Sequence, residues 1–432
     1  MELDKELIKI VPTGRQVRFH QLEFYAFIHF TVNTFTDKEW GDGTESPDIF
    51  APRKLDAEQW VKAVKSAGMR GLILTCKHHD GFCLWDTKTT EHSVMYSPYG
   101  KDIVREVSDA CRKGGIAFGV YLSPWDRNCP LYGSGKPYDD FFVGQLTELL
   151  TGYGDVFSVW FDGACGEGPD GRKQYYDWDR YYSVIRELQP GACISVCGPD
   201  IRWCGNEAGH TRQAEWSVVP LRARDSEKIA EKSQHEDNEE FRRRVDARDE
   251  DLGSRQALTG EPELIWYPAE VNTSIRPGWF WHESENDKVK PLSELADIYI
   301  RSVGGNCTFL LNIPPTRDGL LHENDVRRLA ELGEFLKSAF AENLVPGAEL
   351  SCESEEQGFG IENIVDDNYD SCYIPTSSNA DIIIKLKRSE KLGYAVIKEN
   401  IPMSQRIESF AVDVRENGCF RELYRGTPIF TP

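Results

Sequence analysis

Short apolar runs alternate along the first 340 positions with stretches that repeat at helical spacing. The run Glu23-Phe24-Tyr25-Ala26-Phe27-Ile28-His29-Phe30 reads as a buried strand. Asp56 then opens a helix in which Trp60, Val61, Val64 and Ala67 recur every three or four residues, and Gly68 ends it. Residues 71–75 form a second strand, followed by the loop Cys76-Lys77-His78-His79-Asp80-Gly81. The pattern continues with a helix over 102–113, a strand over 116–121, a helix over 138–150 and a strand over 156–161. A helix over 178–188 and a strand over 193–197 follow. Later strands are predicted at 263–267, 279–281 and 308–313, with helices over 292–303 and 323–340.

Apolar strands alternating with amphipathic helices imply a parallel sheet covered by helices. About eight such repeats over roughly 320 residues predict a (β/α)8 TIM-like barrel with insertions. A doubly wound open sheet is the alternative, but it usually carries a glycine-rich phosphate loop after its first strand. Here that strand runs into His29-Phe30-Thr31-Val32-Asn33. Residues 222–255 break the rhythm with charges of both signs, including Arg242-Arg243-Arg244. The interleaved acids predict a solvated, partly helical insertion rather than a nucleic-acid site. From about Val345 period-two stretches such as Asp381-Ile382-Ile383-Ile384-Lys385-Leu386 predict antiparallel sheet. The chain therefore divides into a catalytic barrel, 1–344, and a short or truncated C-terminal β-sandwich, 345–432.

Charge narrows the ligand. The 432 residues carry 50 Lys and Arg against 71 Asp and Glu, a net charge of −21. Nucleic acid and anionic membranes need a basic face, so both are excluded as partners. A neutral ligand suits the 11% aromatic content. No apolar run is long enough for a transmembrane helix. The opening Met1-Glu2-Leu3-Asp4-Lys5 is not a signal peptide, which implies a cytoplasmic location, or a periplasmic or secreted one if a leader has been removed. Twelve cysteines show no CxxC pair and read as reduced, buried residues.

In a barrel of this kind, catalytic groups stand at the carboxyl ends of strands. The polar residues there are His29, His78, His79, Asp80, Tyr121, Asp126, Asp162 and Glu207, with Trp279 and Trp281 near the end. Asp162 follows a wholly apolar strand and precedes Gly163-Ala164, leaving room for a ligand; the plain alternative is a turn cap. Glu207 lies among glycines just past the fifth strand, and an exposed loop acid is its plain alternative. Two carboxylates from adjacent strands facing each other across a sugar are the machinery of glycoside hydrolysis. His78 and His79, adjacent on an extended segment, should point in opposite directions and not share a metal. Among the tryptophans, Trp40 and Trp279 suit a sugar pocket, whereas Trp160, inside a strand, suits the core.

The stretches Phe27-Ile28-His29-Phe30-Thr31-Val32-Asn33-Thr34-Phe35, Lys77-His78-His79-Asp80-Gly81-Phe82, Val159-Trp160-Phe161-Asp162-Gly163 and Leu311-Asn312-Ile313-Pro314-Pro315 resemble the α-L-fucosidases of glycoside hydrolase family 29. The loop 205–209 and the stretch 274–282 resemble the subgroup acting on α-1,3/1,4-linked fucose in branched glycans. The resemblance implies a retaining, exo-acting hydrolase with no metal or organic cofactor, acting on fucosylated oligosaccharides. It implies Asp162 as nucleophile and Glu207 as acid/base. It further implies His29, His78 and His79 holding fucose hydroxyls, Glu39 and Trp40 at the same pocket, Tyr121 after the third strand, and Trp279 against the fucose methyl. A barrel glycosidase for another sugar and a non-catalytic glycan binder are the competing readings. Asn272-Thr273-Ser274 and Asn306-Cys307-Thr308 fit the N-glycosylation pattern, which matters only for a secreted eukaryotic protein.

Overall fold

A computed structural model describes residues 2–244, 250–416 and 418–427. The rest of the insertion, 245–249, and the end of the tail, 428–432, lie outside the described residues. The strands are β1 (Phe24–Ile28), β2 (Gly71–Lys77), β3 (Ala117–Leu122), β4 (Ser158–Phe161), β5 (Cys193–Val196), β6 (Arg202–Trp203), β7 (Val218–Pro220), β8 (Leu264–Trp266), β9 (Ala269–Ser274) and β10 (Cys307–Asn312). Eight of them form one parallel sheet in the order β5-β4-β3-β2-β1-β10-β9-β6. A parallel bridge between Ser195 and Ile201 brings β5 beside β6, so the sheet curls into a nearly closed barrel.

The apolar runs are continuous because each serves two cores. In β1, Tyr25 and Phe27 join Ile73, Tyr121, Trp160 and Leu310 in the barrel interior. Their neighbours Phe24, Ala26 and Ile28 pack outward against the helix layer with Trp60, Val64 and Val107. The period of two along a strand makes this division. Helices 57–66, 103–114, 136–152 and 178–188 cover the sheet as predicted, and three of them open on an aspartate: Asp56, Asp102 and Asp177 each cap a backbone N–H.

Three expectations are corrected. Residues 264–266 do form a strand, but it pairs antiparallel with β7 outside the barrel. Residues 279–281 are not a strand; the barrel strand before them is β9. Its sequence, Ala-Glu-Val-Asn-Thr-Ser, alternates polar residues inward, so it shows no apolar run. Strand β6 is only two residues and follows β5 without an intervening helix. Glu207 therefore follows the sixth barrel strand, and β5 stands in sequence between it and Asp162.

The C-terminal part forms two small antiparallel sheets: β11 (Glu349–Cys352) with β12 (Ile382–Lys385), and β13 (Phe410–Glu416) with β14 (Cys419–Gly426). It docks where Gln405 accepts the Ser217 N–H at 2.9 Å and Ile401 packs against Val218, Leu264 and Trp266. All twelve cysteines are free, and eight are buried. Among the described residues no helix is long and apolar enough to cross a membrane. Both Asn272 and Asn306 are buried, at 3% and 1% exposure, so neither side chain is available for glycosylation.

The loop after β9 is anchored by an ion pair in the interior. Arg276 Nε meets both oxygens of Asp325 at 3.0–3.1 Å, and both side chains are fully buried. Burial pushes the Asp325 carboxyl up to about 6 in spite of the guanidinium. Such a pair adds little net stability, but removing one partner strands the other charge. Asp325→Ala should cost about 3–5 kcal/mol in denaturant unfolding. A loss below about 1 kcal/mol, the range of an exposed pair, would show that this ion pair does not hold the loop.

Candidate active site

Strand periodicity aims the site. Tyr25 and Phe27 point into the barrel, and His29, two residues on, continues that column into the cavity at its mouth. On β4, Trp160 points inward and Asp162 follows it. The cavity is also lined by Glu39, Trp40, His78, His79, Trp203, Glu207, Asn272 and Trp279. Of the nine site residues predicted from sequence, eight therefore line one cavity. The ninth, Tyr121, is fully buried and does not line it; its hydroxyl donates to Asp162 Oδ2 at 2.9 Å. Trp160 is both core and cavity wall, stacked on Tyr121 at 5.3 Å.

His78 and His79 do not point apart. Their rings lie 4.1 Å apart, and both face the cavity. The register of β2 shifts between Thr75 and Lys77, and the chain then turns, with the Gly81 N–H bonded to the His78 carbonyl. The segment is thus not extended, and strand alternation does not apply to it. His78, His79 and Asp162 bring ligand atoms within 4.8 Å of one another, a spacing that a cation also accepts.

All three histidines are neutral. Burial lowers His29 to about 4 and His79 to about 3, and His78 falls well below its usual value. His29 Nδ1 lies 2.8 Å from Asn312 Oδ1, an acceptor, so Nδ1 carries the proton and Nε2 is the free acceptor. Ser123 gives its proton to the Trp125 carbonyl at 2.7 Å, so it accepts from His79 Nδ1 in the same way. Buried His78 Nδ1 has no partner among the described residues. Neutral imidazoles that accept or donate singly suit hydroxyl groups rather than an anion.

The two carboxyl groups differ in environment. Burial raises the Asp162 carboxyl, but the Ala164 and Gly163 N–H groups and the Tyr121 hydroxyl favour its ionised form. Burial pushes Glu207 up to about 7; the Asp162 and Glu39 charges add to this, while Trp279 Nε1, 3.0 Å away, and Arg242 oppose it. One group is thus supported as an anion and the other is poised to hold a proton near neutrality.

Glu39 clamps the loop that carries Trp279. Its carboxylate accepts the Trp279 N–H at 2.8 Å, the Phe280 N–H at 3.1 Å and His282 Nε2 at 2.7 Å. The contact is so close that a Cβ at Gly278 would lie 2.6 Å from Glu39 Oε1. The bond to Glu39, more than any other contact, raises His282 to about 9. Asn312 completes the clamp by donating to the Trp279 carbonyl at 2.7 Å.

The other strand-end candidates are structural. Asp80 is fully buried, accepting from Thr31 and the Phe82 N–H. Asp126 pairs with buried Lys77 at 2.9 Å. Trp281 donates to Asn286 outside the cavity. Sequence reasoning assigned no role to Asn272, Asn312, His282, Gln234 or Arg242. Asn312 lies near the end of the predicted strand over 308–313, whereas Asn272 lies on β9, so only placing that strand in the sheet could find it. For the insertion residues, the sequence carries no signal.

A family profile described as alpha-L-fucosidase matches residues 13–339. The chain is 40% identical over 419 residues to alpha-L-fucosidase 1 of Arabidopsis thaliana, covering 94% of this chain and 78% of that protein. A crystal structure of a glycoside hydrolase 29 family member from a rumen bacterium superposes with a TM-score of 0.74 at 37% identity, covering 96% and 68% of the two chains. The structure of a Ruminococcus gnavus GH29 fucosidase in complex with fucose gives a TM-score of 0.82 at 30% identity, covering 97% and 87%.

The Glu39 clamp makes a direct prediction. Glu39→Ala frees the Trp279 loop and should lower kcat/KM by about 10- to 100-fold, the value of a lost charged hydrogen bond. Tryptophan fluorescence and steady-state kinetics check it; unchanged kinetics would show that the loop is held by other contacts.

Proposed function

Because the chain belongs to the α-L-fucosidase family and is thus a glycoside hydrolase, we propose that it is a retaining, exo-acting enzyme that removes terminal α-1,3/1,4-linked L-fucose from branched glycans. The observation that supports the retaining reading is that Asp162 and Glu207 line one cavity, Asp162 receiving hydrogen bonds from Tyr121 and the Ala164 N–H and Glu207 pushed up to about 7 by burial. The linkage reading rests on the likeness of residues 205–209 and 274–282 to the corresponding subgroup.

In this reading fucose lies with its hydroxyls on His29, His78 and His79. An Asp162 oxygen attacks the anomeric carbon as the glycosidic C–O bond breaks, and Glu207 gives its proton to the departing oxygen. This forms a fucosyl ester and a free acceptor sugar. Glu207, now a carboxylate, takes a proton from water; the water oxygen attacks the anomeric carbon and Asp162 leaves. Two inversions give net retention. Tyr121 holds the nucleophile in place, and its stacked partner Trp160 is held beneath by Glu270, which accepts from Trp160 Nε1 at 2.7 Å.

The deciding experiment compares a Lewis-type trisaccharide, 2′-fucosyllactose and an aryl α-L-fucoside, with the first-formed anomer read by NMR. Release from the branched glycan with α-fucose appearing first supports the proposal. Preference for 2′-fucosyllactose would remove the linkage reading, and β-fucose first would remove retention.

Two predictions accompany it. Asp162→Asn should abolish turnover on all substrates, while Glu207→Ala should lose about 10²–10⁴-fold on the trisaccharide and much less on an activated aryl fucoside. Equal losses from Glu207→Ala would move the acid elsewhere. The pH profile of kcat/KM should fall above about 7 as Glu207 loses its proton, and fall again in acid as Asp162 gains one. A chelator should leave these rates unchanged; their loss would instead assign the His78, His79 and Asp162 cluster to a metal.

A further inference from the structure

The insertion after β7 does more than present charge to solvent. Helix Ser226–Lys232 is seated on the turn that carries Asp162, and Ile229 packs on the interior cluster. A Cβ at Gly163 would lie 2.2 Å from Ser233 Oγ and 3.2 Å from Ile229. Gln234 follows and lines the cavity, 7% exposed. From helix Glu239–Arg243, Arg242 reaches back to within 3.8 Å of Glu39. The other edge of the insertion is pinned by Glu250 to Arg212 at 2.9 Å.

We propose that Gln234 and Arg242 form the subsite for the sugar on the leaving-group side of the scissile bond, and that this sugar is neutral. The inference rests on the fucosidase reading of Asp162 and Glu207. The leaving oxygen must lie at Glu207, so the acceptor sugar extends past that carboxyl, away from the histidines that hold fucose. Gln234 lines the same cavity as Glu207, and Arg242 stands 3.8 Å from Glu39, another of the lining residues. Its donors are not used up. Its Nη1 bonds to Asp237 at 3.0 Å, Glu39 lies beyond hydrogen-bond range, and its buried Nε has no partner among the described residues. The Gln234 amide makes one long bond, 3.4 Å, to the Asn238 carbonyl. Buried donors of this kind gain from a ligand oxygen.

The charges around Arg242 decide the ligand class. Asp237 and Glu39 flank the guanidinium, Glu207 lies within its field, and His282 sits on the far side of Glu39. With two carboxylates already beside it, Arg242 is set to donate to neutral hydroxyls. A sialylated or sulfated acceptor would bring a further negative charge to an acidic rim.

Binding is measured by calorimetry in an Asp162→Asn background, with L-fucose and a neutral Lewis-type trisaccharide as ligands, and turnover in the otherwise native chain. Arg242→Ala should weaken trisaccharide binding by about 10- to 100-fold, while fucose binding shifts by less than about threefold. The loss in kcat/KM on the trisaccharide should exceed that on an aryl fucoside by at least about tenfold. Gln234→Ala should show the same direction with a smaller ratio, and Arg242→Lys should recover part of the loss. Equal weakening of fucose and trisaccharide would assign these residues to the fucose pocket or to the fold and overturn the proposal, as would no change in either. A trisaccharide bearing sialic acid that binds more tightly than the neutral one would overturn the ligand class. Failure of the function reading looks different: the native chain then binds no fucose and turns over no fucoside.

Discussion

Glu39 is the charge on which the mouth of the barrel is assembled. It follows β1, yet it receives N–H groups from the loop after β9, pairs with His282, and faces Arg242 of the insertion. Burying a carboxylate is costly, and burial alone would raise it; the His282 bond, the Arg242 charge and the Trp279 N–H together hold it below the usual value. The exchange is mutual. The anion is satisfied by the loop closing on it, and the loop gains a buried acceptor for its N–H groups beside its Arg276–Asp325 anchor. Trp279, so placed, donates to Glu207.

The rest of the site follows from withdrawing ionisable groups from water among aromatic rings. Three histidines lose their charge and become hydroxyl partners of fixed polarity. Burial raises both carboxyl groups in the cavity; hydrogen bonds from the Asp162–Ala164 turn and Tyr121 oppose the rise at Asp162, while Glu207 is carried up to about 7 against an indole N–H. Below them, Glu270 sits in the barrel interior, pushed up to about 7 by burial and holding Trp160 and Tyr25. The polar column of β9 thus supports the aromatic floor on which the nucleophile rests.

The insertion shows how one charge run can serve two ends. Most of its charges are solvated, as the interleaved signs imply, and Arg243 is 71% exposed. Its neighbour Arg242 is 13% exposed and stands 3.8 Å from Glu39, which lines the cavity. Adjacent residues on one helical turn point about 100° apart, so a run of arginines cannot all share an environment.

The alternation of apolar runs and helical repeats was enough to specify the parallel barrel, because each strand must bury both faces and each helix one. The same alternation carried most of the cavity: a polar residue just past an inward-pointing aromatic, as in Phe27 to His29 and Trp160 to Asp162, keeps its direction at a strand end. What the chain alone could not decide was anything set by contacts distant in sequence. β9 hides its strand character because its inward residues are polar, β6 is too short to show a pattern, and the bulge that turns His78 and His79 together exists only against β3. Tyr121 became a support rather than a wall for the same reason. The placing of Gln234 in the cavity and of Arg242 near Glu39 belongs wholly to the tertiary structure, since no local rule says where an insertion lands.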